Sequence, residues 1–480
     1  MRTNKLKDKK IIIITATATG ISLLLLLFWL FYDPTSDFKI YAPGMDKLTE
    51  NAESVSTENV IIGEHFTKLK DFTSTLTEKW PTFRGANHDN IVKTNNPINE
   101  NWKVKAPKII WQIPTGEGHA SPVIYNGLVY FIDYDEKGKA DILKCVSLET
   151  GDELWRRWYK VHVKRNHGMS RTIPAVSENY VVTMGPRCHV MCTNRLTGDL
   201  MWGIDLEKKY KTITPLWYTG ECPIIVDDVA ILAVGGSTLM IGVDCKTGNV
   251  LWETPNKKDW KMSHSSILSV TISNKKMFVY ASIGGICGVS NEKADLGKIL
   301  WEISEWAPSV IAPSPVYLGN NRIFVTGGYG AGGAILQLSE KNGSFTVKLE
   351  SKFAPNEGLA SEQQTPITNN GFIYGILPKD AGANRNQFIC YKTSDLKTPV
   401  WQSGKTNRYG LGPYIQINDK FLILNDEGTL SMIEASEKSF RKINEKKIFE
   451  GLDAWVPLAF ANGYLLLRDS KNIICLDLKP

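Results

Sequence analysis

Through most of the chain, short apolar runs with a period of two alternate with polar turns. Val123-Ile124-Tyr125 and Leu128-Val129-Tyr130-Phe131-Ile132 flank Asn126-Gly127. Asn-Gly between apolar runs predicts a two-residue hairpin, because both central residues must take positive φ. Asn370-Gly371 and Asn462-Gly463 hold the same slot later, and Asp227-Asp228 and Asn418-Asp419 are degenerate versions. A second pattern follows each apolar strand: a Thr-Gly turn, then a tryptophan. It reads Leu148-Glu149-Thr150-Gly151-Asp152-Glu153-Leu154-Trp155, then Leu196-Thr197-Gly198-Asp199-Leu200-Met201-Trp202. It returns as Lys246-Thr247-Gly248-Asn249-Val250-Leu251-Trp252 and, loosely, Leu296-Gly297-Lys298-Ile299-Leu300-Trp301. These tryptophans stand 47, 50 and 49 residues apart. Repeats of roughly 40–50 residues built from short strands predict radial blades.

Blade 1 is expected over about 119–159, blade 2 over 172–206, blade 3 over 222–254 and blade 4 over 265–303. Blade 5 spans 313–350 without a tryptophan, blade 6 spans 365–402 with Trp401, and blade 7, the most degenerate, spans 412–449. The last segment offers only three strands, Val456–Phe460, Tyr464–Arg468 and Asn472–Leu476. An orphan strand, Ile109–Ile113 with Trp111, supplies the missing fourth. A ring closed by its first strand leaves no exposed end. The expected fold is therefore all-β, an eight-bladed propeller with an N-terminal transmembrane helix. Each tryptophan is expected to wedge between adjacent blades.

Residues Ile11 to Tyr32 carry no charge and are long enough to span a bilayer. Arg2, Lys5, Lys7, Lys9 and Lys10 precede them and Asp33 follows. That bias places residues 1–10 in the cytoplasm, a membrane anchor at 11–32 and the rest outside. A cleaved signal peptide is the competing reading, but its apolar stretch is shorter and followed by small residues. Residues 33–79, rich in Ser, Thr, Asp, Glu and Lys, read as a spacer, with the folded domain over 80–480. The basic tail supplies most of the net charge of +6, so nucleic acid is not an expected partner. Of the eight cysteines, Cys145, Cys192, Cys287, Cys390 and Cys475 recur at equivalent strand positions, which reads as buried apolar filling rather than disulfides; Cys188 and Cys192 are the one plausible local pair.

The sequence Ser-Pro-x-Val, hairpin, apolar strand, Thr-Gly, Leu-Trp resembles the pyrroloquinoline-quinone (PQQ)-type propeller repeat from about residue 108 to the end. Trp80-Pro81-Thr82-Phe83-Arg84-Gly85 is similar to the lead-in of such propellers in bacterial envelope proteins. The family holds quinone-dependent dehydrogenases and also cofactor-free scaffolds, typified by the BamB-type subunit of the outer-membrane assembly machinery. The resemblance implies a quinoprotein-like fold. It implies PQQ and Ca²⁺ only on the dehydrogenase branch, whose adjacent cysteine pair does not occur here. A Glu, Asn and Asp set for Ca²⁺ is not legible either.

The start of each innermost strand rings one end of a propeller channel. Those positions hold His119 and Ser121, Arg171, Tyr218 and Glu221, His264 and Ser265, Ser314, Glu362 and Gln364, Tyr409 and Trp455. The ring is polar and aromatic enough to bind a small polar or anionic ligand, with Arg171 pairing a carboxylate and Trp455 or Tyr409 stacking on a flat ring. Arg171→Ala is expected to be nearly silent for stability. A metal site of His119, His264 and Glu221 or Glu362 would need convergence from distant blades, so no metal is expected. Gly327–Gly333 lacks the helix and Lys-Ser/Thr of a phosphate cradle and reads as a hairpin loop. No catalytic set is legible. The expected role is a non-catalytic binding or assembly scaffold in the bacterial envelope, in the cytoplasmic membrane with its propeller in the periplasm, contacting an envelope protein through a propeller face. The alternative is a PQQ-dependent periplasmic dehydrogenase of alcohols or sugars.

Overall fold

The computed structural model describes residues 2–32, 59–451 and 453–480. Two units are distinct. The first, among the described residues, is the helix Arg2–Phe31. From Lys7 to Phe31 it is long and apolar enough to cross a bilayer, a test that a signal sequence also passes. Thr15 and Thr17 each donate their hydroxyl to the carbonyl four residues back at 2.8 Å. Those two hydroxyls therefore need no outside partner in an apolar setting.

Among its described residues the second unit forms eight sheets, each with four antiparallel core strands. The eighth sheet runs Ala459–Ala461, Tyr464–Arg468, Asn472–Asp477 and then Lys108–Pro114. Trp111 lies opposite Cys475 and Ile113 opposite Ile473, so the early orphan strand completes the terminal blade as expected. Asn126-Gly127, Asn370-Gly371, Asn462-Gly463 and Asp227-Asp228 all take positive φ at both residues. Ser273-Asn274 and Asn320-Asn321 make the same turn without the Asn-Gly signal, whereas at Asn418-Asp419 only Asn418 has positive φ.

The inner strands bury both faces. In Leu128–Asp135 every residue but the last is buried, because a neighbouring blade covers each side of the sheet. Only the outer strands keep a clear alternation, as in Val250–Pro255.

The tryptophans of blades 1, 2, 3 and 8 each reach the turn glycine of the next blade. A Cβ on Gly198 would stand 2.9 Å from Trp155, on Gly248 2.7 Å from Trp202, on Gly297 2.8 Å from Trp252 and on Gly151 2.8 Å from Trp111. The indole N–H of Trp111 donates to the Leu148 carbonyl and that of Trp202 to Cys245. Both carbonyls lie three residues before the glycine. The repeated Thr-Gly and Trp are thus two halves of one joint between blades.

Two expectations change. Residues 33–58 of the expected spacer lie outside the described residues, but 59–79 belong to the propeller. His65–Lys68 adds a strand to the outer edge of blade 1, and Lys79–Trp80 adds one to its inner edge. The apolar residues Ile62, Phe66 and Phe72 of this segment pack on the blade, a signal masked by the polar residues around them. Cys188 and Cys192 are not paired: all eight cysteines are free and buried. The Cys188 thiol lies beside the hydroxyl of Thr219, and Cys192 donates to the Cys245 carbonyl.

Candidate functional site

The residues that open the inner strands are stitched blade to blade. The Ile173 N–H donates to the Cys222 sulfur at 3.3 Å, and the Cys222 N–H donates to Ser266 Oγ at 3.0 Å. The Ser314 N–H donates to Thr365 Oγ1 at 2.9 Å, and Ser121 Oγ donates to the Pro457 carbonyl at 2.7 Å. Small polar residues beside proline therefore serve the ring itself. Proline removes its own donor, so the preceding residue carries the link.

The lead-in crosses the channel from blade 1 to blade 7. Ile91–Val92 pairs in parallel with the inner strand Tyr414–Ile417. On the way, the Pro81 carbonyl accepts from Val176 and Arg84 donates to the Pro366 carbonyl at 3.0 Å. Burial pushes the Arg84 guanidinium down to about 10. Phe83, between these anchors, lines the cavity above.

That cavity measures about 250 Å³. Of the sequence-predicted residues, His119, Arg171, His264, Glu362, Gln364 and Trp455 line it. Six do not, among them Ser121, whose hydroxyl goes to the Pro457 carbonyl. Tyr218 turns its hydroxyl to the Lys164 carbonyl. Tyr409 sits in the apolar core of blades 6 and 7, because its ring is large enough to fill the gap between them. Glu221 is fully buried behind the wall, and neither carboxylate oxygen has a hydrogen-bond partner. Burial pushes its carboxyl up to about 8, opposed by the Ala233 backbone. Ser265 and Ser314 keep buried hydroxyls without partners.

The expected stacking surface is itself partly used. Trp455 stacks on His119, with ring centroids 3.7 Å apart and planes at 17°. Burial, with Arg171 next, holds His119 well below the usual imidazole range. His264 is pushed down to about 4 by burial and then Arg171. Both are neutral at pH 7. His119 Nδ1 and His264 Nε2 are buried without hydrogen-bond partners.

Arg171 is a tether as well as a charge. Its Nε donates to the Trp217 carbonyl at 2.6 Å, and its Nη2 donates to the carbonyls of His167 and Asn166 at 2.5 and 3.3 Å. Its substitution would release those carbonyls, so a cost in stability is expected in place of silence. Among the described residues no carboxylate lies within ion-pair distance of it. Burial pushes its guanidinium down to about 10.

The sequence reading missed Trp217, Tyr329, Lys379, Asp426 and Asp453, which also line the cavity. They stand on loops between strands, where no period marks them. Trp217 and Tyr218 both have positive φ, 61° and 71°. For bulky residues this costs about 1–3 kcal/mol each and marks a site held by its surroundings. Tyr329 rises from the Gly327–Gly333 turn and stacks on Trp217 at 5.9 Å. The Gly-rich loop is a hairpin, as expected, whose conformation (Tyr329 φ 54°, Gly330 φ 81°) presents an aromatic ring. Opposite Arg171, burial raises Glu362 and Asp426; each feels the other acids and is partly relieved by Lys379.

Calcium needs several oxygens converging on one point. Among the described residues no three His, Cys, Asp or Glu side chains form such a group. His119, His264 and the glutamates belong to no such group. Lys379 shares the wall that carries the rim carboxylates.

A family model described as outer membrane protein assembly factor BamB matches residues 138–403, more than half of the chain. The fold is similar to BamB from Moraxella catarrhalis, with a TM-score of 0.51 and 10% identity, covering 77% of this chain and 97% of that one. It is also similar to a europium-containing methanol dehydrogenase, with a TM-score of 0.58 and 11% identity, covering 83% and 98%. At such identities the likeness concerns the fold alone. No curated protein matches the sequence at a significant level.

Proposed function

The chain belongs to the PQQ-type propeller family described as outer membrane protein assembly factor BamB, and from that membership we propose that it is a non-catalytic binding scaffold of the bacterial envelope. The N-terminal helix would anchor it in the cytoplasmic membrane, with the Lys-rich end inside and the propeller in the periplasm. Its partners would be envelope proteins that add an extended segment to an outer strand.

One observation carries this reading. The residue before the signature tryptophan is exposed on blades 3, 6 and 8, whereas Met201 and Leu300 on blades 2 and 4 pack against the core. This position is 37% exposed at Ile110, 51% at Leu251 and 36% at Val400, but 4% at Leu154. On blade 1 the chain's own segment is added to that edge, with the N–H groups of Leu69 and Lys70 donating to the Leu154 carbonyl. An outer edge with an apolar handhold therefore accepts a further strand in this very fold. Among the described residues, blades 3, 6 and 8 offer the same edge without that cover. Strand addition gives affinity through main-chain bonds and specificity through alternate side chains.

The test places a photo-crosslinking residue at Leu251 or Val400 in the full chain in intact cells. Adducts to one envelope protein at either position support the reading. Absence of a reproducible protein adduct at both positions overturns it.

A further inference from the structure

The cavity is divided by charge. Arg171 stands on one wall without a carboxylate at ion-pair distance, beside two histidines that are neutral at pH 7. The other wall carries Glu362, Asp426 and Asp453 with Lys379, so its acids outnumber its cations. Tyr329 stacks on Trp217, whose carbonyl holds Arg171, and its neighbour Gly328 packs against Glu362, so this turn joins the two walls. A charge away from water needs a partner, and here neither sign is balanced on its own side.

The cavity also carries orphaned polar groups. His119 is 4% exposed and lines the cavity with a buried, unpartnered Nδ1. His264 contributes a buried, unpartnered Nε2. Buried polar atoms in folded proteins are satisfied as a rule, by protein, water or ligand. Asp426 already accepts from the Leu411 N–H at 2.8 Å through Oδ1, which fixes its carboxylate and leaves Oδ2 for a donor. Arg171 is fixed in the same way by three carbonyls on Nε and Nη2, and no hydrogen bond is drawn from its Nη1. Both charges are thus oriented before anything binds, which lowers the ordering cost of binding.

We infer that this cavity is a binding site for a small aromatic zwitterion of amino-acid size, its carboxylate on Arg171, its ammonium on the Glu362–Asp426 wall and its ring beside Trp217 and Tyr329. A volume of about 250 Å³ is below the usual range of pockets for drug-sized ligands and suits a molecule of this size. The left-handed backbone at Trp217 and its stacking on Tyr329 hold an aromatic surface ready. An anion alone would leave the acidic wall unanswered, and a cation alone would leave Arg171 so. This site is separate from the outer strands of the scaffold reading, and either can fail without the other.

Calorimetric titration of the full chain in detergent tests it with phenylalanine, phenylalaninamide, N-acetylphenylalanine and the dipeptide phenylalanylglycine. Saturable binding of phenylalanine is expected, at least tenfold tighter than of the amide or the N-acetyl form. Tighter binding of the dipeptide than of phenylalanine would identify a peptide as the source of the same zwitterionic chemistry. Arg171→Gln should abolish the preference for phenylalanine over the amide, and Asp426→Asn its preference over the N-acetyl form. Arg171→Lys, which keeps the charge, should restore part of the first and control for folding. Phenylalanine and the dipeptide both failing to bind at 10-fold molar excess over a millimolar protein cell, or binding no better than the blocked forms, would overturn the assignment.

Discussion

Trp202 and Gly248, in adjacent blades, form a single joint. The indole N–H donates to the Cys245 carbonyl at 2.9 Å, and a Cβ on Gly248 would stand 2.7 Å from the Trp202 ring. Gly248 also has a φ of +75°, which side chains resist. Trp202→Ala is expected to cost about 3–5 kcal/mol as a core truncation. Gly248→Ala should cost about 1–3 kcal/mol through strain and collision. Because the two residues touch, the double variant should be less destabilised than the sum. Urea unfolding of all three variants measures the coupling, and strict additivity would show that the contact contributes nothing.

Ring closure rests on one pairing. Asn472–Asp477 lies between Tyr464–Arg468 and Lys108–Pro114, and Trp111 packs against Cys475 across it. Removing residues 470–480 would strand the first strand and open the edge of Tyr464–Arg468. The truncated chain should be recovered in aggregates or lose its cooperative thermal transition. A truncated chain with an unchanged transition would mean that blade 8 is not the seal.

The fold was legible because its joints are written in residue types. Trp, Gly and the Asn-Gly hairpins each meet a steric demand that few other residues satisfy. The strand added to blade 1 was not legible, since His65–Lys68 is short, mixed in character and stabilised by the edge that it covers. Six of the twelve rim positions read from their place before the inner strands line the cavity. Tyr409 and Glu221 were misjudged because sequence position fixes where a backbone stands but not on which side of the wall its side chain is buried. Trp217, Tyr329, Asp426 and Asp453 come from turns whose conformation depends on neighbouring blades. An aromatic at the tip of a Gly-rich turn, as at Tyr329, is the signal that could have been used.

The donor set makes a prediction about quinones. Among the described residues no group of His, Cys, Asp or Glu gathers for calcium. Incubation with pyrroloquinoline quinone and Ca²⁺ should leave the melting temperature and the quinone absorbance spectrum unchanged. A shift of more than a few degrees, together with dye reduction by an alcohol or sugar, would instead support a dehydrogenase.

Glu221 should make stability fall as pH rises above neutrality. Its carboxyl moves from 4.5 to about 8 on folding, mainly by burial. A raised acid pKa means that the folded state holds the proton more tightly. Its stabilising contribution is complete below about 4.5 and is lost as pH rises through about 8. Asp141, raised to about 6, acts in the same direction but is spent by pH 6.5. His264, His119 and His88, all lowered by burial, act in the opposite direction, and their unfolded imidazoles still titrate around pH 6.5. Glu221→Gln keeps the shape and removes one titration, so the difference between wild type and variant isolates Glu221, with a slope of at most about 1.4 kcal/mol per pH unit. Wild-type protein should lose stability relative to the variant from pH 6.5 to 8, as measured by urea midpoints at pH 6.5, 7.25 and 8. Parallel curves would show that Glu221 reaches water and titrates as an ordinary acid.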